Sequence, residues 1–287
     1  MNATKSAKSI RTAETATTKK PKPKPDTGHH ERHMPEMQMV NFAEIFQDRA
    51  LFRNLKLPKW LFATTYARKD QAALSATEQG RFLCAFNTLI SNGTFGPLVD
   101  IHGDPAHMPH TTQRLLPWHR VYLLQFEMAL RAIHPDVNIP YWDWTQASEQ
   151  AIPPWLVGVT PTVTTPTKTI AVTRFPGTAA DLATIASNVP TIMAMNDFTQ
   201  FASNLNGVHG GVHIWVGGAM GSVPTAPADP IFWMHHANLD RLWWQWQNSP
   251  QGAGKNPSLS GAAAVMDPWA YTEVNTRDIT TLGYTYV

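Results

Sequence analysis

The sequence predicts one mainly helical domain with long irregular loops and little β structure. Apolar residues recur at helical spacing in several separate stretches. Of the 287 residues, 43% are hydrophobic and eleven are tryptophan, which is enough for a substantial core. The stretches between the predicted helices are long and irregular, and no repeat of solenoid period is present.

The first predicted helix begins at a capping box, in which Ser75 and Glu78 satisfy the free N–H groups of the first turn. The Asn92-Gly93 pair predicts where this helix ends. Between these limits apolar residues recur at helical spacing: Phe82, Leu83, Phe86, Leu89 and Ile90.

The second predicted helix spans Pro117 to Ile133 and carries few charges, which predicts that it is largely buried. The segment before it, His102–Thr112, is rich in turns. Residues 148–177 are rich in Thr and Pro, with one possible short strand at Lys168–Phe175. The remaining helical segments are predicted at Thr178–Ser187, Phe198–Leu205, His209–Val216 and Pro230–Trp246.

Charge divides the chain into a basic, Lys/Pro-rich tail over residues 1–40 and a folded domain over residues 41–287. Residues 1–25 carry a charge of +6, and the remaining residues carry −4. Alternation of Lys and Pro from Lys20 to Pro25 predicts a disordered, solubilising segment. A basic tail can also contact nucleic acid or an anionic surface, but solubilisation is favoured and no nucleic-acid partner is expected. The tail histidines are expected to bind metal adventitiously at most: His29, His30 and His33.

Several classes of protein are excluded by what the sequence lacks. It has no run of 18 apolar residues, so no membrane span is expected. Its N-terminus has neither the apolar run of a signal peptide nor a twin-Arg pair, which favours a cytoplasmic location. Its single cysteine, Cys84, excludes an intrachain disulfide and a thiolate metal site.

Two runs of histidines carry the chemistry. Each supplies three imidazoles with no carboxylate or thiol placed among them, and imidazole suits copper, zinc, iron and nickel. Two such sets predict a paired-metal site. The first run contains His102, His107, His110 and His119, and the second contains His209, His213, His235 and His236.

Copper is favoured over zinc for this site. His209 and His213 are four residues apart, so on a helix they project from one face. Paired hydrolytic zinc sites normally need a carboxylate that bridges the ions and acts as the base, and none is placed to do so. Asp240, four residues after His236, is expected to support its helix or to accept the ring N–H of a ligand histidine.

Longer motifs around these histidines resemble the type-3 copper proteins of the tyrosinase family. The likeness runs from about Phe42 to the closing segment Gly283–Val287, which is similar to the tyrosine motif of that family. It implies a helical bundle in which two helix pairs hold two copper ions. The motifs occur in the family's order: Leu116–Glu127, Ile139–Trp144, His213–Gly218 and Asp229–Trp243.

The resemblance implies roles for individual residues. His235 is left out of the ligand set, and His107 could replace His102 in a shifted loop. Phe232 would pack over the second copper and Val223 would stand at the substrate gate, although ordinary core packing explains either equally well. The implied copper ligands are His102, His110 and His119 for the first ion and His209, His213 and His236 for the second.

Three departures from the family pattern matter. Met108 replaces the cysteine that many eukaryotic relatives join to a ligand histidine, so no thioether is expected. The shielding C-terminal domain of plant and fungal forms is not found, so an open site is expected. Gly210 stands where efficient monophenol hydroxylases carry Asn, and Asn206 lies roughly where they carry a Glu that holds a water as base.

These changes predict an oxidase that uses dioxygen on o-diphenols or o-aminophenols and hydroxylates monophenols more weakly. Its expected partners are small phenols and dioxygen, with a protein that delivers copper as a further candidate. Three alternatives stay open: a full tyrosinase with efficient monophenol hydroxylation, an oxygen carrier like the haemocyanins, and a zinc hydrolase or structural metal protein.

Overall fold

The computed structural model describes residues 65–107 and 109–287. The predicted tail over residues 1–40, the predicted start of the domain at Asn41 and Met108 lie outside the described residues.

The described part of the chain is built mainly from α-helices, which confirms the predicted fold class. Long connections with short 3-10 turns join the helices. The described α-helices are α1 (Ala76–Ser91), α2 (Phe95–Gly103), α3 (Leu115–Ile133), α4 (Ala179–Ala186), α5 (Val189–Met193), α6 (Phe198–Val216) and α7 (Pro230–Gln247).

Helix α1 confirms its predicted start and end. Ser75 accepts a hydrogen bond from the backbone N–H of Glu78, and the Glu78 carboxylate accepts one from the N–H of Ser75 at 2.9 Å. Phe82, Phe86 and Leu89 form its buried face, because residues three or four apart share one side of a helix. That face packs on α3.

Helices α3 and α7 form the centre of the bundle. Every residue of α3 from Leu115 to Leu130 is buried. Asp229 caps α7 by accepting a hydrogen bond from the N–H of Ile231 at 2.9 Å, and Pro230 occupies the first turn, where its missing N–H is not needed. Helix α3 packs against α1, α6 and α7.

Two details of the predicted helices were wrong. The predicted fragments Phe198–Leu205 and His209–Val216 are one continuous helix, α6, capped by Asp197. Gly207, Gly210 and Gly211 weaken the helical signal there, but its apolar face packs on α4 and α5 and offsets the cost of about 1 kcal/mol per glycine. His102 lies in the last turn of α2, not in a turn-rich loop.

The little β structure forms two small sheets. Strand β1 (Tyr66–Arg68) pairs in parallel with β4 (Tyr284–Tyr286), with Tyr66 opposite Tyr284. Strand β2 (Thr162–Thr164) pairs antiparallel with β3 (Thr169–Ala171), inside the predicted Lys168–Phe175 segment. Within the described residues, no helix combines the length and the apolar character needed to cross a membrane.

Candidate metal centre

The histidine runs form two groups in the middle of the bundle. Within each group the potential ligand nitrogens lie within 4.8 Å of one another. Helices α2 and α3 and the segment between them supply the first group, and α6 and α7 supply the second. The groups are His102, His110 and His119, and His209, His213, His235 and His236.

The second group is formed by residues of α6 and α7. His209 and His213 project from one face of α6, as their spacing predicts. The Nε2 atom of His236, on α7, lies 3.3 Å from Nε2 of His209 and 3.3 Å from Nε2 of His213. Three ring nitrogens therefore converge on one point.

The first group faces the second. The ring centroid of His102 lies 4.6 Å from that of His110 and 5.3 Å from that of His119. The ring of His119 stacks on that of His236 with centroids 4.2 Å apart, and the ring centroid of His110 lies 6.3 Å from that of His209. Two ions held by these groups would be neighbours.

Backbone carbonyls determine which ring nitrogen is free. Nδ1 of His102 donates to the carbonyl of Val223, Nδ1 of His119 to that of Leu115, and Nδ1 of His213 to that of Met220, each over 2.8 Å. Because a carbonyl can only accept, Nδ1 carries the proton and Nε2 keeps its lone pair. Nε2 of His102 and of His119 are buried without a hydrogen-bond partner, as expected of atoms meant for a metal.

For His209 the hydrogen-bond acceptor of Nδ1 is a side chain and not a backbone carbonyl. Nδ1 of His209 lies 3.0 Å from the amide oxygen of Asn206, one turn earlier on α6. The half-buried Asn206 side chain is therefore engaged with a candidate ligand. The sequence placed Asn206 near the site but could not indicate this contact.

Burial keeps the histidines of both groups neutral. It is the largest cause of the lowered pKa of His102, His119, His209 and His236, and neighbouring histidines lower each pKa further. Burial also lowers the pKa of His110, and it lowers that of His213 to about 4. Neutral imidazole is the form that binds a metal.

His235 is close to the second group but is held in the other tautomer. Nε1–H of Trp144 donates to Nδ1 of His235 over 3.0 Å, so the neutral ring of His235 must carry its proton on Nε2. Neither nitrogen then has a free lone pair for a metal. The Trp144 contact, which spans 91 residues, has no signature in the sequence.

His107, the predicted alternative to His102, is not in either group. Its Nδ1 lies 2.6 Å from the Asp267 carboxylate. Asp240 does not accept the ring N–H of a ligand histidine, which was one of the two roles expected of it. It accepts hydrogen bonds from arginines and tyrosines of the core and from no histidine of the described chain. Its partners are Arg68, Arg120, Tyr284 and Tyr286.

The remaining predicted residues surround the groups. The Phe232 ring is buried, with its centroid 4.2 Å from that of His236 and 4.9 Å from that of His102. Val223 is 48% exposed, on the loop between α6 and α7. Gly210 follows His209 on α6, and a β-carbon there would meet no atom within 4 Å.

These observations fit a pair of copper ions. Both groups in the described part of the chain consist of histidines alone. The Nε2 atoms of His102 and His119 are unpartnered, and those of His209 and His213 each lie 3.3 Å from that of His236. Zinc pairs that hydrolyse substrates use a bridging carboxylate. A donor set of neutral nitrogens keeps the reduced form of copper accessible.

Sequence comparison finds a family model and relatives that match this chain. The family model for the common central domain of tyrosinase matches residues 92–176 and 158–249, ranges that include both groups. A tyrosinase from Streptomyces antibioticus is 32% identical over 254 residues, covering 70% of this chain and 92% of that protein.

Solved structures share the fold. A functional unit of octopus hemocyanin aligns with a TM-score of 0.68 at 23% identity, covering 77% of this chain and 68% of that chain. A tyrosinase from Burkholderia thailandensis aligns with a TM-score of 0.62 at 18% identity, covering 78% and 74%. At these identities the likeness concerns the fold alone.

Proposed function

Because the chain belongs to the tyrosinase family of type-3 copper proteins, we propose that it oxidises o-diphenols, or o-aminophenols, in preference to monophenols. Membership makes it an oxidoreductase of the tyrosinase type with a dinuclear copper cofactor. In the proposed reaction two o-diphenols and one dioxygen give two o-quinones and two waters. The observation that carries the proposed copper-dependent oxidation is the pair of facing groups made only of histidine.

We assign the first copper to His102, His110 and His119 and the second to His209, His213 and His236. Bound copper supplies the redox couple that activates dioxygen. The protein contributes the geometry: the Nδ1 contacts of four ligands turn their Nε2 atoms inward, and the buried ring of Phe232 packs against both groups. The four ligands are His102, His119, His209 and His213. The protein also excludes His235, because Trp144 holds it in the other tautomer.

The surface beside the groups suits an aromatic substrate. Val223 is 48% exposed, and its backbone carbonyl lies 2.8 Å from Nδ1 of His102. An aromatic ring can cover this apolar side chain while its hydroxyl groups point toward the histidines. This supports small phenols as the substrate class and Val223 as the gate residue.

The preference for o-diphenols rests on Asn206 and Gly210. A phenol, with a pKa of about 10, must lose a proton before its oxygen can bind a metal. An amide cannot accept that proton at neutral pH, and the amide oxygen of Asn206 already accepts from His209. Gly210 has no side chain that could hold a water in place of Asn206. We therefore expect weak monophenol hydroxylation.

The test loads the copper-free protein with copper and compares catechol with tyramine under dioxygen. A larger kcat/KM for catechol supports the proposal, and an equal or larger value for tyramine supports a full tyrosinase instead. Gly210→Asn, which fills open space, should raise kcat/KM for tyramine relative to catechol. An oxygen carrier would bind dioxygen reversibly and leave catechol unchanged, and a zinc protein would contain no copper.

A further inference from the structure

His110 is the assigned ligand with the weakest local support. The other five assigned ligands stand on helices, whereas His110 lies in the irregular segment between α2 and α3. Its ring is half-buried, and among the described residues none forms a hydrogen bond with it. Something other than a helix must therefore hold this segment against the bundle.

His107 ties the start of the segment to a distant part of the chain. It ends a short 3-10 turn, Pro105–His107, and it belongs to neither histidine group. Its Nδ1 lies 2.6 Å from Oδ2 of Asp267, and its Nε2 lies 3.7 Å from a carboxylate oxygen of Asp104. The His107 ring is buried, whereas the Asp267 side chain is 35% exposed, so the contact is only partly shielded from water.

Arg114 ties the other end of the segment to the same carboxylate. It is buried and directly precedes α3. One guanidinium nitrogen donates both to Oδ1 of Asp267 and to the carbonyl of His107, each over 2.9 Å. The other donates to the carbonyls of Ala263 and Val265 at 2.5 and 2.7 Å.

Asp267 is itself fastened to α3. Its backbone carbonyl accepts a hydrogen bond from Nε1–H of Trp118 over 2.7 Å, and Trp118 directly precedes His119. The segment from His107 to Arg114, which contains His110, is therefore bound at both ends to one aspartate.

We propose that His107, Arg114 and Asp267 form a clamp that positions His110 for the first copper. The inference rests on the copper assignment proposed above. Without the clamp the segment between α2 and α3 gains conformational freedom. The entropy lost when a metal orders this segment through His110 then lowers the affinity for that metal. Partners that orient a metal ligand typically contribute about 10- to 100-fold in metal affinity. The second copper depends on α6 and α7 and should be unaffected.

The test compares Asp267→Asn and His107→Ala with wild type and with Asp136→Asn. Asp136→Asn removes a similar charge from a side chain that is 83% exposed and 3.7 Å from its partner Arg81. Each protein is loaded with two equivalents of copper and challenged with a copper chelator. We expect one of the two ions to leave both clamp variants about 10-fold faster or more, and the control to match wild type.

Hydrogen exchange of the copper-free proteins provides a second measurement that does not depend on metal. Peptides over residues 104–114 should lose protection in the clamp variants, while peptides over α6 keep theirs. Unchanged release of both ions, or loss of both together with protection throughout the chain, would overturn the clamp. A wild-type protein that fails to bind two copper ions would instead overturn the copper assignment, and the exchange measurement would still decide whether the clamp orders the segment.

Discussion

Nδ1 of His102 donates a hydrogen bond over 2.8 Å to the backbone carbonyl of Val223. His102 is assigned to the first copper, whereas Val223 lies on the loop between α6 and α7, the helices of the second. Val223, the residue proposed as the substrate gate, thus also orients a ligand of the first copper, although its loop joins the helices that hold the second. Any change that shifts this loop should alter copper binding at the first site.

The first prediction concerns Gly103, which lets the end of α2 approach that loop. A β-carbon at Gly103 would lie 3.0 Å from Cα of Pro224, the neighbour of Val223. Gly103→Ala should therefore displace the loop, weaken the His102 contact and reduce affinity for one copper by about 10-fold. Chelator competition measures this.

A matched control for Gly103→Ala is Gly80→Ala, since a β-carbon at Gly80 meets nothing within 4 Å. Gly80 lies inside α1, so alanine there should raise the free energy of unfolding by up to about 1 kcal/mol and leave copper affinity unchanged. Equal copper affinity in both glycine variants would contradict the proposed coupling.

The second prediction concerns the hydrogen bond from Trp144 to His235. Trp144→Phe leaves a buried ring nitrogen without its donor, which should lower the free energy of unfolding of the copper-free protein by about 1–3 kcal/mol beyond the effect of lost volume. Urea denaturation measures it. Trp269→Phe removes the same volume from a buried tryptophan whose Nε1 has no partner, so it serves as the control. Equal losses in the two variants would argue against a stabilising role for this bond.

The third prediction concerns Asn206 and its contact with His209. Asn206→Leu leaves the Nδ1–H of His209 without an acceptor and should reduce affinity for one copper by about 10- to 100-fold. Asn206→Asp keeps an acceptor and makes the bond charge-assisted, so it should retain copper at least as well as wild type. The copper released to a chelator distinguishes these outcomes, and equal retention by the leucine and aspartate variants would show that the contact is unimportant.

The fourth prediction concerns the acid sensitivity of the copper-free protein. Burial lowers the pKa of His213 to about 4 from an ordinary value of 6.5. Between these values the unfolded chain binds more protons than the folded one, so the free energy of unfolding falls as the pH falls through this window. The contribution of His213 is about 3 kcal/mol, at 1.36 kcal/mol per unit.

The carboxyl group of Glu149 changes the free energy of unfolding with pH in the opposite direction, so its removal separates the two contributions. Burial raises its pKa to about 7 from 4.5, so between these values the folded chain binds more protons and gains stability as the pH falls. Glu149→Gln removes the opposing contribution. Urea denaturation at several pH values from 7.5 to 5 should show a steeper loss of stability in the variant, and parallel curves would contradict the assignment for Glu149.

Much of the fold and the chemistry of the site follows from local features of the sequence. The capping box at Ser75, the apolar spacing of α1 and the Asp229-Pro230 start of α7 are local signals, and each predicted its helix. The all-histidine composition of the two runs and the four-residue spacing of His209 and His213 predicted two neutral metal-binding groups, because residue type and helical period determine both.

Other features depend on contacts between distant residues and were settled only by the tertiary structure. The sequence favoured His102 as a ligand but left His107 open as its replacement, and only packing places one in the histidine group and the other against Asp267. Backbone carbonyls, which every residue carries, select the tautomers of His102, His119 and His213, so no residue type could indicate them. The sequence determined which atoms could bind a metal, and the packing of the helices decided which of those atoms keep a free lone pair.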